Sequence, residues 1–369
     1  GTQEGALKVA LCMSGAVNDQ GWNQSAYDGA KAACDKYGYE LAYTENLNAA
    51  DIAAAFADYA AAGYDVIIGH GFEFGDPALE VASTYPDVTF ICTEASASAD
   101  NVASYVMACE QTAYVEGVIA ASMSQTGTIG AIGPIQGDSL VKIVNGYIEG
   151  AKSVNPDVDV KTAWTNSYVD TQLAQESASA MIEGGADVIK HCANACGNGA
   201  ISAAVAADIW CQGDSYDQSS LAPENILDSA IYNLDVVLDI ALGTVADGSF
   251  EGGVYNLGMA DGAVEVLISD NVPQEVADKA QATIDAMKFY IGLQDNEWCP
   301  DQNYFAETAP GNAFFSEQGA MFLEGTWNLL YEMKNYPEMQ GKWDVAVLPK
   351  SPNPASGDGR ATISNGLCY

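Results

Sequence analysis

Positive charge is scarce in this sequence. The 369 residues include 13 Lys and Arg against 50 Asp and Glu, which gives a formal net charge of -37. A nucleic-acid partner needs a basic face that neutralises phosphates, and an anionic lipid surface attracts basic segments in the same way. The composition therefore excludes nucleic acid as a partner and argues against docking on anionic lipid. It also makes a phosphate group an unexpected part of any ligand.

Histidine and the common catalytic motifs are also rare or missing. Only two His are present, and no GxSxG, HExxH, Walker A or strand–GxGxxG–helix motif occurs. His191 stands beside Cys192, with Cys196 four residues further on, but a zinc site would need more ligands at workable spacing. Carboxylates could serve as acids and bases, yet no paired spacing stands out. We therefore expect no enzyme, no metal and no cofactor.

Long apolar runs are absent as well. No stretch reaches about 18 apolar residues, so the sequence predicts no membrane span. The chain begins GTQEGALKVA, polar and then directly strand-like, as expected of a mature chain whose leader has been removed. Most of the nine Cys lie in apolar strand-like runs, which indicates buried free thiols. The nine are Cys12, Cys34, Cys92, Cys109, Cys192, Cys196, Cys211, Cys299 and Cys368.

Strand-like and helix-like patterns alternate regularly over the first 270 residues. Apolar runs such as KVALCMS and DVIIGHG are typical of strands buried on both faces, and amphipathic or Ala-rich segments follow them. The alternation restarts after Gly127, which predicts two α/β lobes with mainly parallel sheets and a cleft between them. We place the first lobe at 1–126 plus about 255–288, the second at 127–254, and an extra segment at 289–369. GGVYNLGMADGAVEVLI is predicted to form an extended hairpin.

Five predicted strands end in loops rich in Gly, Asn, Asp and aromatic residues: NDQGWN, GHGFEFGD, TEASASADN, CANACGNG and GDSYDQ. Ligands of open α/β sheets bind at the carboxyl ends of the strands. An aromatic ring there can stack on a flat ligand, and carboxylates can accept hydrogen bonds from its hydroxyls. The residues assigned to ligand binding are Asn18, Asp19, Trp22, Asn23, Phe72, Glu73, Glu94, Tyr147, Asn194 and Asp214.

Bland interpretations of several of these residues stay open. Trp22 could anchor the first helix in the core, and Tyr147 lies in a helical pattern that could equally be core. Glu73 and Glu94 could belong to a solvated face. Phe72 and Phe74 alternate in GFEFGD, so we expect one to face the cleft and the other the core, with Phe72 at the cleft. Tyr168 and Tyr216 are further candidates for stacking.

Residues 6 to about 288 resemble the basic membrane protein family, the substrate-binding lipoproteins of ABC importers that capture purine nucleosides. The resemblance rests on VNDQGWNQSAYDGA, GHGFEFGDPALEVASTYPD, GTIGAIG, VNGYIEGAKSVNPDV, GADVIKHCAN, GDSYDQSSLAPENILDSAIYN and GMADGAVEV, in family order. It implies a type I periplasmic-binding fold in which Trp22 stacks on the base. Asn18, Asp19 and Asn23 would read base edges, and Asp214 would hold the ribose. Where the family often has Lys before the Asp of GMADG, this chain has Ala260.

The resemblance also implies an ABC permease as partner and a place outside the cytoplasm or in the periplasm, with a lipid anchor on the precursor; we expect a monomer. FFSEQGAMFLEGTWNL and WDVAVLPKSPNP, in the last 80 residues, resemble part of a maltose-binding-like solute-binding protein, with Trp327 in the stretch that can stack on a sugar. Two other functions stay open. One is a sugar or other polar-ligand binder, which Ala260 and the tail favour, and the other is a ligand-sensing module.

Overall fold

The computed structural model describes residues 6–18 and 21–295. Asp19, Cys299, Cys368, Trp327 and the tail that resembles a maltose-binding-like protein lie outside the described residues. The chain divides into a compact unit that ends at Ala277 and a second that begins at Asp278. The first unit contains the predicted second lobe and the predicted first lobe as far as Ala277.

Strands and helices alternate along the chain as the sequence predicts. The first series is β1 (Lys8–Met13), α1 (Trp22–Tyr37), β2 (Glu40–Thr44), α2 (Ile52–Ala61), β3 (Val66–His70), α3 (Gly75–Ala82), β4 (Thr89–Thr93), β5 (Val102–Met107) and α4 (Cys109–Met123). The second is β6 (Thr128–Gly133), α5 (Asp138–Val154), β7 (Asp159–Trp164), α6 (Thr171–Glu183), β8 (Val188–His191), α7 (Asn198–Ala206), β9 (Trp210–Gly213) and β10 (Ile226–Tyr232). The last elements are α8 (Leu234–Asp247), β11 (Gly253–Leu257), β12 (Val264–Ile268) and α9 (Gln274–Asp295).

Two six-stranded sheets form the two lobes. The first has the order β11-β5-β4-β3-β1-β2 and is parallel throughout. The second has the order β12-β10-β9-β8-β6-β7 and is parallel except for β12, which runs antiparallel to β10. The predicted α/β fold with two mainly parallel sheets is confirmed. In each sheet the strand order reverses at one point, beside β1 and beside β6, and such a switch point is where open α/β sheets bind ligands.

Aromatic packing fixes the core of the first lobe. Phe56, Phe74 and Phe90 are fully buried, and the ring centroid of Phe56 lies 5.9 Å from that of Phe74 and 6.0 Å from that of Phe90. Burying a side chain of this size stabilises the fold by about 1.5–3 kcal/mol. The rings of Phe56 and Phe74 lie directly over Gly69 of β3, where a Cβ would stand 2.5 Å from Phe74 Cβ. A glycine is therefore needed in the middle of this strand.

The chain crosses between the lobes three times. At these crossings some segments join a different lobe from the one that the sequence-based boundaries assign. Helix α4 contacts α5 of the second lobe so closely that a Cβ on Gly117 or Gly150 would meet the facing backbone. Helix α8 returns to the first lobe, where Asp235 contacts Gly29 of α1 and Asp239 pairs with Lys36. The predicted hairpin in GGVYNLGMADGAVEVLI is wrong, because β11 joins the first sheet and β12 the second. Each strand finds its hydrogen bonds at a sheet edge instead of in a local turn.

The described cysteines are free and buried, as the sequence predicts. They are Cys12, Cys34, Cys92, Cys109, Cys192, Cys196 and Cys211. Burial raises the pKa of the Cys12 and Cys92 thiols to about 12, so they stay protonated near neutral pH. Among the described residues no helix is long and apolar enough to cross a membrane.

Candidate ligand-binding site

Trp22 opens α1 at the carboxyl end of β1, and its indole is backed by a histidine. The rings of Trp22 and His70 are stacked, with centroids 4.5 Å apart and planes inclined by 28°. His70 is 1% exposed, whereas Trp22 is half-buried. The indole is therefore held against the strand end of β3 from one side, which is the arrangement that a stacking platform needs.

The ends of three neighbouring strands hold His70 in place. Its Nε2 lies 3.2 Å from the backbone oxygen of Trp22, and its Nδ1 lies 2.9 Å from Thr93 Oγ1. A carbonyl oxygen can only accept, so Nε2 donates that bond, and Nδ1 of a neutral ring then accepts from Thr93. The Gly71 backbone N–H donates to the same hydroxyl at 3.1 Å. The start of α1 and the ends of β3 and β4 thus hold the ring under Trp22 in place.

The polar residues beside Trp22 that were assigned to ligand binding differ in their environments. Asn23 is 8% exposed, and its Oδ1 accepts from the Gly15 N–H at 3.2 Å. A Cβ on Gly15 would collide with the Asn23 amide, so Asn23 shapes the loop after β1. Asn18 is exposed, Asp19 lies outside the described residues, and Glu45 Oε2 holds this loop by accepting from the Val17 N–H at 2.8 Å. A ligand contact by Asn18 is compatible with its exposure.

Phe72 and Glu73 follow β3 in a 3-10 turn, Phe72–Phe74. Phe72 is 64% exposed and Phe74 is 0% exposed, so the prediction that they point to opposite environments is confirmed. The cause is this turn and not the alternation of a strand. Gly71 has φ +129°, and the Glu73 carboxylate folds back over it. Only glycine adopts this backbone readily, which explains why the turn begins there.

Glu94 follows β4 and has a left-handed backbone, φ 56°. Its Oε1 accepts from the Met107 N–H of β5 at 2.8 Å. Burial of the carboxyl raises the pKa of Glu94 to about 7, the Met107 bond opposes the shift, the Glu110 charge adds to it and Lys142 reduces it. Lys142 belongs to α5, so the end of this first-lobe strand lies within electrostatic reach of the second lobe.

Asp214 follows β9 in the second lobe and is 4% exposed. Its Oδ1 accepts from the Tyr232 hydroxyl at 2.8 Å, and its Oδ2 accepts from Ser215 Oγ at 2.9 Å. A carboxylate has about four lone-pair sites, so two hydroxyl donors leave capacity for more. Burial raises the pKa of Cys109 well above its usual value, and the charges of Glu94 and Asp214 raise it further. Both carboxylates therefore surround Cys109, where α4 leaves the first lobe.

Two more assigned residues lie on the second lobe. Asn194 opens a short 3-10 turn after β8, with φ 49°, and is half-exposed. Tyr147 is 0% exposed within α5. The assignment of Tyr147 to the ligand is corrected here, because its ring lies in the core between α5 and α4. Its apolar helical pattern is the core pattern that the sequence left as an alternative.

Tyr168 follows β7 and is 39% exposed. Burial raises the pKa of its hydroxyl, and the charge of Glu73 raises it further. Glu73 belongs to the first lobe, so Tyr168 lies near it across the gap between the lobes. Trp22 and Phe72 of the first lobe and Tyr168 of the second lobe all follow strand ends, and Glu73 lies within electrostatic reach of Tyr168.

Several site-forming residues are missed by the sequence. Residues that form their hydrogen bonds only once the sheet has brought distant segments together include Thr93, Ser215, Tyr232 and Gln218. His191 is an example, because its Nε2 donates to Gln218 Oε1 at 2.9 Å while its Nδ1 accepts from the Ala193 N–H. Burial lowers the pKa of His191, so the ring is neutral and structural. Among the described residues no group of three or more His, Cys, Asp and Glu could hold a metal ion.

Two lobes with strand-end aromatics and acids define a solute-binding protein of the periplasmic-binding type. An ABC transporter solute-binding protein from Conexibacter woesei has a similar structure, with TM-score 0.64 and 25% identity, covering 78% of this chain and 96% of that one. The family of ABC transporter substrate-binding proteins described as PnrA-like, Bmp, matches residues 6–297, and the chain belongs to it. The match extends beyond residue 288, where the sequence resemblance was placed.

The names of two relatives mention different ligands. A purine-binding protein of Brucella abortus is 31% identical over 283 residues, which cover 76% of this chain and 80% of the relative. A putative ABC transporter glucose-binding protein of Haloferax volcanii is 31% identical over 288 residues, which cover 77% of this chain and 73% of the relative. Substrate-binding proteins of ABC importers take up a small ligand and deliver it to a permease, and they work outside the cytoplasm or in the periplasm.

Proposed function

We propose that this protein captures a purine nucleoside between its two lobes for an ABC importer. The observation that carries the proposal is the Trp22 indole stacked on His70 at 4.5 Å. Stacking of a base on an aromatic ring contributes about 1–3 kcal/mol and works through the π-face. A ring already fixed from behind loses little freedom when the base arrives, so more of that energy goes into affinity.

Asp214 is the group proposed for the sugar. Tyr232 and Ser215 hold its two oxygens at 2.8 and 2.9 Å, so the carboxylate cannot rotate freely. Two adjacent hydroxyls of a ribose can donate to one carboxylate, and a hydrogen bond to a charged group contributes about 1.5–3 kcal/mol. The 4% exposure of Asp214 implies that the hydroxyls reach it from inside the closed cleft.

The charge around the site supports an uncharged ligand. Glu73, Glu94 and Asp214 lie on the strand-end loops. Lys142 lies within electrostatic reach of Glu94, and Lys190, within reach of Asp214, is buried and paired with Glu116. An anionic phosphate there would meet like charges and find little to neutralise it. We therefore propose that nucleosides bind and that the corresponding nucleotides are rejected.

The proposal extends to the protein's macromolecular partner, its location and its oligomeric state. The importer's permease is the macromolecular partner, the protein works as a monomer, and its precursor is lipid-anchored to the cell membrane. The ligand is returned unchanged, because we assign a binding role and no turnover. The family membership supports these assignments.

Calorimetric titration of the full chain with guanosine, adenosine, guanine, ribose and guanosine monophosphate tests the proposal. We expect saturable binding of a nucleoside, weaker binding of its free base, and none of the nucleotide. A protein that binds free sugars and no nucleoside would refute it.

A sugar is the second candidate ligand. It is favoured by Ala260 in place of the family's frequent Lys and by the glucose-binding relative. Trp22 would then stack on a sugar ring, and Asp214 would hold its hydroxyls. Glucose in the same titration series separates the two candidates, because the purine proposal expects no heat from it.

A further inference from the structure

A group of polar side chains is buried in the second lobe between its sheet and the helices α4 and α5. We call it the buried polar cluster. Its members are Glu116 of α4, Tyr147 of α5, Lys190 of β8, Gln212 of β9 and Asp228 of β10. Each of them is between 0% and 2% exposed. None of them is used by the proposed function, although Gln212 lies two residues before Asp214.

Specific hydrogen bonds join most of the cluster. Lys190 Nζ forms an ion pair with Glu116 Oε2. The Gln212 amide donates to the Glu116 backbone oxygen at 2.9 Å and to Asp228 Oδ2 at 2.8 Å. The carboxyl groups of Glu116 and Asp228 are within hydrogen-bonding reach of each other. Four atoms nevertheless have no partner in the part of the chain that the structure describes: Glu116 Oε1, Tyr147 Oη, Gln212 Oε1 and Asp228 Oδ1.

The charges of the cluster do not balance when every group is ionised. Lys190 supplies one positive charge, and Glu116 and Asp228 would supply two negative ones. A buried charge without compensation is very unfavourable, and a carboxyl in that position becomes neutral instead. Most other titratable groups around the cluster are acids or thiols and cannot supply a positive charge: Asp187 before β8, Cys192 after it, Cys211 on β9, Asp214 after it and Tyr232 on β10. His191 follows Lys190 on β8, but burial lowers its pKa, so the ring stays neutral.

The remaining charged groups are directed elsewhere. Asp187 accepts from Ser124 Oγ and from the Gln125 N–H. Glu265, on β12, accepts from Asn233 at the surface. Lys142 of α5 acts on Glu94. One further positive charge must therefore enter the cluster from solvent.

We propose that the cluster is a buried proton-binding site, in which Glu116 Oε1 and Asp228 Oδ1 share one proton while Lys190 neutralises the remaining negative charge. The shared proton joins Glu116 Oε1 to Asp228 Oδ1 in a hydrogen bond, so two of the four unpartnered atoms gain a partner. The two left over are complementary in kind, because the Tyr147 hydroxyl can donate and Gln212 Oε1 can only accept. A proton thus accounts for the charge and for the two carboxyl oxygens, while the Tyr147 hydroxyl and Gln212 Oε1 keep no partner among the described residues.

The titration of the groups agrees with this geometry. Burial raises the pKa of Asp228 well above its usual value, and the neighbouring Glu116 charge raises it further. Burial also raises the pKa of Glu116, but Lys190 opposes that shift. Burial lowers the pKa of Lys190, which the carboxylates of Glu116 and Asp214 outweigh, so that it rises to about 12. Lys190 therefore stays charged, and Asp228 keeps the proton.

The site makes the stability of the second lobe fall as pH rises above the unfolded-state pKa of Asp228. In the unfolded chain Asp228 loses its proton near pH 3.9, whereas the folded chain keeps it to a much higher pH. Folding thus takes up one proton in this window, and stability falls as pH rises through it. Above the folded-state pKa the proton leaves to solvent. The excess negative charge then lies against α4, the helix that connects the first sheet to the second.

Urea unfolding of the full chain at several pH values, compared between wild type and Asp228→Asn, tests the proposal. Asn keeps the shape and cannot take part in the proton uptake. Above about pH 5 and below the raised folded-state pKa of the cluster, the wild-type folding constant should fall with rising pH relative to that of Asp228→Asn, by up to about tenfold per pH unit. Asp157→Asn, an exposed acid of the same lobe, is the matched control and should keep the wild-type slope. Equal slopes in wild type and Asp228→Asn would overturn the proposal.

Two further measurements keep the test decisive. Infrared spectra of folded protein at about pH 8, where Glu94 with its pKa of about 7 is mostly ionised, should show the C=O stretch of a protonated carboxylic acid. That band should vanish in Glu116→Gln, where Asp228 pairs with Lys190, and persist in Asp157→Asn. A wild-type spectrum without the band would overturn the proposal. The proposal would also be overturned if wild-type stability were higher in sodium than in choline at constant ionic strength and showed no proton-linked slope. A sodium ion would then supply the missing charge.

Discussion

The Trp22 platform leads to a prediction that separates stacking from folding. Trp22→Ala removes the indole and leaves His70 uncovered, while both hydrogen bonds of the histidine ring stay available, because one goes to the Trp22 backbone oxygen and the other to Thr93. The nucleoside then loses its stacking partner, about 1–3 kcal/mol of binding free energy. That corresponds to an affinity about 5- to 150-fold weaker.

The cost to the fold should be smaller and separately measurable. Trp22 is half-buried, and its stack with His70 is worth about 0.5–1.5 kcal/mol beyond the area buried. Trp22→Phe is the matched control, because it keeps a flat ring on His70 and should retain most of the affinity. Calorimetry gives the affinity, and urea unfolding gives the stability. Trp22→Ala with unchanged nucleoside affinity would refute the platform, and equal losses in Trp22→Phe and Trp22→Ala would show that the indole acts through something other than stacking.

Three further predictions concern other parts of the account. Burial raises the pKa of Glu94 to about 7, so the folded protein holds an extra proton between the usual pKa of a Glu and pH 7. The free energy of unfolding therefore falls as pH rises through that window, and Glu94→Gln should remove part of this fall in urea unfolding. Asp214→Asn should weaken nucleosides more than free bases in calorimetry, and equal losses would contradict its ribose role. Gly150→Ala should lower the free energy of unfolding by about 1–3 kcal/mol through the α4 backbone contact, whereas Gly137→Ala, with open space around it, should change it little.

The sequence predicts the fold well because the signals that specify it are local. Apolar runs such as KVALCM become strands that are buried on both faces, and glycines such as Gly38, at φ 74°, end helices with a left-handed backbone. The crossovers were harder to predict. GGVYNLGMADGAVEVLI looks locally like a hairpin, but its two strands pair with β5 and β10, far away in the chain.

The site was predictable only in its outline. Trp22, Phe72 and Asp214 follow β1, β3 and β9 as the apolar runs predict, and their role in ligand binding stays a prediction from the topology of parallel sheets. Tyr147 was misassigned because its helix buries it against α4, and a helical pattern alone does not say which side faces a cleft. The support of Trp22 by His70 depends on β1 and β3 being neighbours, which no local pattern encodes.

The central claim is that the cleft takes a purine nucleoside on Trp22. Calorimetric titration of the full chain with guanosine, run beside glucose at the same pH and salt, tests it most directly. The account predicts saturable binding of guanosine at one site and no heat from glucose. Saturable binding of glucose without binding of any purine nucleoside would contradict it.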